Sequence, residues 1–260
     1  MNEKDCLITQ YNLLKGLFFD DKYETSDYLL CTSKVIDDHF WNLAYIKNSL
    51  NKELLREIEN KLALLDRKPC IYIGTKDDNY INNVKLLLNN NYELCERDTY
   101  MVLDNKKDID MKIDLKIVSN EKEYNDFMKV ISSAFNETLE NEDENVYLGS
   151  ITECYYKAIK DTIGSNNHLH IIAYDNGIPV AGATLNIFNG IFGINNVGTR
   201  QGYWNKGYGT QVIGYIINLF NKLNGNTLIL STEFQSKNQL FYEKLGFKVL
   251  YVMEQYTKKE

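Results

Sequence analysis

Apolar residues along this chain recur at helical spacing in some stretches and in short unbroken runs in others. In NKELLREIENKLALL, Asn51 to Leu65, the residues Leu54, Leu55, Ile58, Leu62 and Leu65 fall on one helical face. The first third is therefore expected to be helical in pattern. The run Cys70 to Ile73, behind Pro69, predicts a strand, and a second helix is expected over Asn82 to Leu88. Asn89, Asn90 and Asn91 supply the turn chemistry that ends it, and Tyr92 to Leu103 is strand-like again. The polar segment DNKKDIDMK, Asp104 to Lys112, marks the expected domain boundary and divides the chain into 1–110 and 111–260.

Beyond it the pattern predicts a strand over Asp114 to Val118 and an amphipathic helix over Glu121 to Phe135. An acidic loop, NETLENEDEN, follows, and then a helix over Val146 to Ile163. His168 to Thr199 is the clearest β region, with hairpin turns at Asp175 to Gly177 and at Asn189–Gly190. A helix from Lys206 to Leu223 turns Val212, Ile213, Ile216, Phe220 and Leu223 inward. The strand TLILS, a helix over Ser236 to Leu245 stopped by Gly246, and one long strand over Phe247 to Thr257 complete the chain. The order β-α-α-β-β-β-α-β-α-β is that of a mixed α/β domain, an antiparallel meander feeding a β-α-β crossover.

Composition narrows the class. The 260 residues are 44% hydrophobic and 25% charged, which suits a folded core, and 2 prolines with 15 glycines exclude collagen-like and Pro/Gly-rich chains. No apolar stretch approaches the roughly 20 residues of a membrane span, and MNEKDCLITQ lacks a signal-peptide pattern, so a cytoplasmic location is expected. Twenty-nine basic against 36 acidic residues give a formal charge of −7. That balance argues against a nucleic-acid partner and is compatible with a cationic small molecule. The cysteines Cys6, Cys31, Cys70, Cys95 and Cys154 form no CxxC pair and are expected to be reduced core thiols.

The chemistry concentrates in NVGTRQGYWNKGYGTQV, Asn196 to Val212. A strand ends near Thr199, a polar loop follows, and Gly207 and Gly209 stand where a helix begins. The first helical turn leaves backbone N–H groups unpaired, and the helix dipole adds positive potential. Glycines let an anion approach those amides, so the segment suits a pyrophosphate, with Lys206 adding charge. Alone, a GxG at a helix start also describes an ordinary turn. A second segment, NQLFYEKLGFKV from Asn238 to Val249, makes the signal specific.

Together the two segments resemble the acetyl-CoA loop and closing helix of GNAT-type N-acetyltransferases. Gly207 and Gly209 match the family's loop glycines, Trp204 stands where Arg or Gln is usual, and Tyr242 to Phe247 reads YEKLGF. The resemblance covers Asp114 to the C-terminus and implies a GNAT-like fold, a mixed and mostly antiparallel sheet flanked by helices. It implies acetyl-CoA as co-substrate, no metal, and transfer of the acetyl group to a primary amine, with a non-catalytic CoA-binding sensor or scaffold as the alternative. It also implies that Val197, Gly198 and Thr199 pair with the pantetheine arm. Asn205, Lys206, Gly207, Tyr208, Gly209 and Thr210 would hold the pyrophosphate, Asn238 would reach the arm, and Tyr242 would lie near the sulfur. The family often places a glutamate on the strand before the loop, but Gly193 to Thr199 has no carboxylate, and Glu233 is the expected base. The acceptor is expected to be a small-molecule amine, and the protein a monomer or homodimer with no membrane partner.

Other features weigh less. A Rossmann GxGxxG after a first strand and a Walker GK[ST] are both missing. His168 and His170 share a strand face, which suggests a metal pair, yet no third ligand stands at the right spacing. His39 is expected to be structural or on the surface, and Asn141 to Asn145 is expected to be a solvated acidic loop that could also meet a cation. The first half looks like a worn copy of the second: Ile71 to Ile73 matches Leu228 to Leu230, and Asn82 to Tyr92 matches Lys237 to Phe247. Asn83 then aligns with Asn238, Leu87 with Tyr242 and Asn91 with Gly246, while no glycine precedes the helix that starts at Asn51. The expectation is a tandem chain of two GNAT-like halves whose first half has lost the CoA loop and the acid.

Overall fold

The computed structural model describes residues 3–105, 109–135 and 150–259. The first third departs from the helical expectation. After α1 (Glu3–Leu14) come β1 (Asp21–Glu24), β2 (Tyr28–Thr32), a single 3₁₀ turn at His39–Trp41 and β3 (Leu43–Ile46). All residues of β2 and β3 are buried, so neither shows the alternation that marks a half-exposed strand. Then follow α2 (Lys52–Ala63), β4 (Cys70–Gly74), α3 (Tyr80–Asn89), β5 (Tyr92–Leu103) and β6 (Asp114–Ile117). The remainder is α4 (Glu121–Phe135), α5 (Ser150–Asp161), β7 (His168–Asp175), β8 (Ile178–Phe188), β9 (Ile191–Thr199), α6 (Tyr208–Lys222), β10 (Thr227–Glu233), α7 (Lys237–Lys244) and β11 (Phe247–Lys258). From β6 onward this is the predicted element order, and the final strand is single and long.

The chain divides into two compact units, Met1–Val102 with Ser231–Glu260, and Leu103–Leu230. In the first, the strands run β1-β2-β3-β4-β11-β5. β3 and β4 are parallel and joined through α2, while β11 lies antiparallel to β4 from Met253↔Gly74 to Thr257↔Cys70. That pairing is why the last 30 residues belong with the first third and not with a linear second half that starts at 111. Leu55, Ile58 and Leu62 of α2 and Leu87 of α3 pack with Tyr28, Ile46, Ile71 and Tyr256 in one core. Leu65 of the predicted stripe is 48% exposed, because α2 stops at Ala63 and Asp66 turns left-handed at φ +56. Glu254 of β11 is almost fully buried and accepts hydrogen bonds from Arg97 Nε at 2.7 Å, Tyr80 Oη at 2.8 Å and Tyr256 Oη at 2.7 Å. Burial alone would raise its pKa, but these three donors outweigh it and hold the carboxyl below its ordinary value.

In the second unit the order is β10-β9-β8-β7-β6, antiparallel except for the parallel pair β9 and β10 across α6. Both predicted hairpin turns are present. Asn176 and Gly177 take φ +49 and +79, Asn189 and Gly190 +48 and +77, the left-handed pair that a two-residue turn demands. Val212, Ile213, Ile216 and Phe220 of α6 are buried, while Leu223 lies past the helix end and is half exposed. Residues 109–112 of the polar segment lie on α6. Gln211 accepts from Lys112 N at 2.7 Å and donates to Asp110 O at 2.8 Å. A Cβ added at Gly214 would meet Ile109 and Met111 within 3 Å.

Two cysteines depart from the expected core position. Cys31 and Cys70 are buried, but Cys95 is exposed on β5 and Cys154 is intermediate, and all four are free. Cys95 sits in an exposed run, Glu93 to Cys95, and its Sγ donates to Gln255 O.

Candidate active site

β9 ends at Thr199, and the eight residues 200–207 must turn the chain into α6. They do so with three left-handed residues, Gly202 at φ +78, Asn205 at +61 and Gly207 at +85. Gly207 is the N-cap of α6 and has no side chain to cap the helix. The first intrahelical bond near it is Gln211 N–H to Gly207 O at 3.1 Å, so the amides of Tyr208, Gly209 and Thr210 precede any acceptor within the helix. A Cβ at Gly207 or Gly202 would meet nothing within 4 Å. The result is an open, amide-lined turn at the positive end of a 15-residue helix.

Side chains fix this turn in place. Tyr208 Oη donates to Asp175 Oδ2, tying the start of α6 to the β7–β8 turn, and the tie raises the Tyr208 pKa. Trp204 donates its indole N–H to Thr199 O at 2.7 Å and is 55% exposed. Lys206 Nζ lies 4.9 Å from the Tyr203 ring centre and the Arg200 guanidinium 5.9 Å, two cations beside the loop. Val197 and Gly198 precede them on β9, and a Cβ at Gly198 would meet the Ala134 Cβ at 2.6 Å.

The equivalent positions in the first unit are filled from within. The turn between β3 and α2 is only residues 47–51, and Asn51 Oδ1 accepts from Leu54 N–H at 2.8 Å, capping α2 with its own side chain. Asn83 is fully buried: its Oδ1 accepts from Leu50 N–H at 2.8 Å and its Nδ2 donates to Asn48 O at 2.9 Å. The asparagine aligned with Asn238 therefore holds this chain's own turn, and the start of α2 is capped by a carboxamide.

Glu233, Asn238 and Tyr242 belong to the first unit, and the loop residues to the second. Ser236 caps α7 by accepting from Gln239 N–H at 3.1 Å, which starts the helix directly after Glu233. Asn238 is exposed, and Tyr242, one turn on, is buried with edge-to-face contacts to Phe241 and Phe247. Burial raises the Tyr242 pKa well above that of a free tyrosine, so its phenol stays protonated at neutral pH.

A carboxylate group that sequence reading passed over lies on β5. Asp98 Oδ2 accepts from Tyr72 Oη and from Gln255 Nε2 at 2.8 Å; burial raises its pKa, and those donors oppose the rise. Glu96, two residues before it and on the same strand face, is pushed up to about 7 by burial and by Asp98, Glu233 and Asp38. The local signal was the alternation of Glu96 and Asp98 in a strand pattern. Because the folded carboxyl keeps its proton to about pH 7 and an unfolded one releases it near 4.5, Glu96 lowers stability as pH rises through that window. Glu96→Gln is expected to gain stability relative to wild type at pH 8 but not at pH 4, read by denaturant midpoints. An equal offset at both pH values would contradict this.

The histidine pair is committed elsewhere. His168 Nδ1 bonds Asn186 Oδ1 at 2.8 Å, and His170 bonds Thr162 and Thr184 through its two nitrogens. Among the described residues no group of three or more His, Cys, Asp or Glu is placed to hold a metal ion. His39 lies in the 3₁₀ turn, 3.5 Å from Asp38 and against the Phe40 ring. The acidic segment Asn141 to Asn145 and the predicted helix start at Val146 lie outside the described residues. No helix is long and apolar enough to cross a membrane among the described residues.

Residues 135–247 match the model of the Acetyltransferase (GNAT) family. A GCN5-related N-acetyltransferase from Kribbella flavida superposes over 100% of this chain and 97% of its own, with a TM-score of 0.71 at 12% identity. A functionally unknown conserved protein from Staphylococcus epidermidis covers 92% and 94% at TM-score 0.68 and 13% identity. A GCN5-related N-acetyltransferase from Sphaerobacter thermophilus covers 98% and 84% at TM-score 0.64 and 10% identity. At these identities the likeness is one of fold. No curated protein matches the chain.

Proposed function

We propose that this chain, which carries a GNAT acetyltransferase domain over residues 135–247, transfers an acetyl group from acetyl-CoA to a primary amine. The observation that carries the reading is the uncapped start of α6 behind the open Gly207 turn, set against the self-capped α2 of the first unit. In the proposed reaction, Asn205 to Thr210 hold the pyrophosphate by backbone amides and Val197 to Thr199 pair with the pantetheine arm. Asn238 meets the same arm from α7. The amine attacks the thioester carbonyl, the C–S bond breaks, and Tyr242 donates its proton to the leaving thiolate. Glu233 accepts the proton the amine loses or orients a water that does, and Glu96, beside it electrostatically, can hold a proton at neutral pH. The carboxylates Glu96, Asp98 and Glu233 and the formal charge of −7 favour a cationic acceptor.

Mass spectrometry of the purified protein for bound CoA, followed by thiol release from acetyl-CoA over an amine panel, tests this reading. Binding with no thiol release for any amine would leave the CoA-binding sensor, a reading that Trp204 in the loop supports. Calorimetry is expected to give one acetyl-CoA per chain, since Asn51 and Asn83 already occupy the corresponding positions of the first unit. Two per chain would contradict the assignment.

A further inference from the structure

β9 does not run straight to the loop. Its register with β8 goes from Gly182↔Gly198 to Thr184↔Asn195, so Ala183 alone faces both Asn196 and Val197. This is a β-bulge, and Asn196 sits in it at φ +52. The extra residue decides which side chain meets α4. Of Val197, Gly198 and Thr199, the bulge turns Gly198 toward Ala134, where any Cβ would come within 2.6 Å. Without it the following residues would exchange faces, and a branched side chain would point at α4.

Asparagine tolerates the left-handed region in turns, but inside a strand ladder that conformation must be held against the extended one. Here a buried line of hydrogen bonds holds it. Asn196 Nδ2 donates to Thr184 Oγ1 at 3.2 Å, and Thr184 Oγ1 lies 3.0 Å from His170 Nδ1. His170 Nε2 lies 2.9 Å from Thr162 Oγ1, which itself donates to Ile159 O at 2.9 Å. One arrangement of protons satisfies every member. Thr162 gives its proton to Ile159, so it accepts from His170 Nε2–H; Nδ1 is then bare and accepts from Thr184, whose oxygen accepts from Asn196. The imidazole must be neutral for this. Burial, with a smaller contribution from His168, pushes the His170 pKa down to about 4, in keeping with that state. Thr184 and His170 are almost fully buried, so the middle of the line is shielded from bulk solvent.

We propose that Thr162, His170 and Thr184 are positioning residues that lock the Asn196 bulge and so aim the backbone of Val197 to Thr199 at the pantetheine arm. The proposal rests on the acetyl-CoA reading above. Its readout is the separation of cofactor affinity from turnover. Thr184→Val keeps the shape and removes the hydroxyl that both accepts from Asn196 and donates to His170. It is expected to raise the Kd and KM for acetyl-CoA on the order of tenfold, the effect of one buried unmade hydrogen bond, while kcat at saturation changes little. Adding Asn196→Gly, a residue that adopts positive φ without an anchor, is expected to restore the affinity. Thr184→Ser, which keeps the hydroxyl, is expected to behave as wild type.

Wild-type affinity in Thr184→Val, or no recovery in the double variant, would overturn the proposal, the latter because general loss of packing is not repaired by glycine. Should Thr184→Val fail to fold, Asn196→Ala and Asn196→Gly make the same comparison: alanine is expected to weaken binding and glycine to leave it intact. Hydrogen exchange at the amides of Val197 to Thr199 separates this from failure of the cofactor reading. If the wild type binds no acetyl-CoA, faster exchange in Thr184→Val that the glycine reverses still supports the lock, and unchanged exchange rejects it.

Discussion

Leucine at both Gly207 and Gly209 is expected to abolish the rise in melting temperature that acetyl-CoA gives the wild-type chain. A ligand present at a hundredfold excess over its Kd adds about 2.7 kcal/mol to folding stability, several degrees for a chain of this size. Two effects remove it together. Gly207 stands at φ +85, where a side chain costs roughly 1–2 kcal/mol, so the turn itself would shift. The space a Cβ would enter is empty of protein, and a bulky group there takes the place proposed for the pyrophosphate. Strain alone is separated by Gly164, which has φ +80 and equally open surroundings in the turn after α5. Gly164→Leu is expected to lower the melting temperature and to keep the acetyl-CoA increment. A full increment in the double variant would refute the loop as the cofactor's seat.

Such a loop is legible in sequence because glycine at a helix start has a local cause and a local consequence. The same holds for the two hairpin turns, since Asn176–Gly177 and Asn189–Gly190 meet a φ requirement that few residue pairs satisfy. Legibility fails where the cause is distant. β2 and β3 were passed over because YLLCT and LAYI lack the proline-led start that marks the equally buried β4, and a short apolar run alone fits a buried helix segment as well as a strand. The pairing of β11 with β4 joins Thr257 to Cys70, and no window of sequence contains both. Glu96 is an ordinary glutamate until Asp98, Glu233 and Asp38 are brought near it. Asn83 aligned with Asn238 by pattern, yet only the structure shows that its carboxamide is already bonded at both ends, to Leu50 and Asn48.

Tyr242→Phe is expected to lower turnover by roughly 10²–10⁴, the usual contribution of a general acid, with little change in acetyl-CoA affinity. The geometry separates the two quantities. Tyr242 is buried against Phe241 and Phe247, and phenylalanine keeps that packing, so neither α7 nor Asn238 need move. What disappears is the phenolic proton, which burial holds on the oxygen well above neutral pH. A thiolate leaving without a donor must be protonated by water instead, and the loss falls on kcat and kcat/KM alike. The variant should also lose any decline of rate at high pH that reflects the tyrosine's ionisation. Burial places that decline beyond the range of an ordinary tyrosine, so between pH 7 and 9 the wild-type rate is expected to show no fall from this group. Steady-state kinetics with a competent amine, beside calorimetric titration with acetyl-CoA, measures both arms. Equal turnover in Tyr242→Phe would remove the residue from the mechanism and favour the CoA-binding sensor over the transferase.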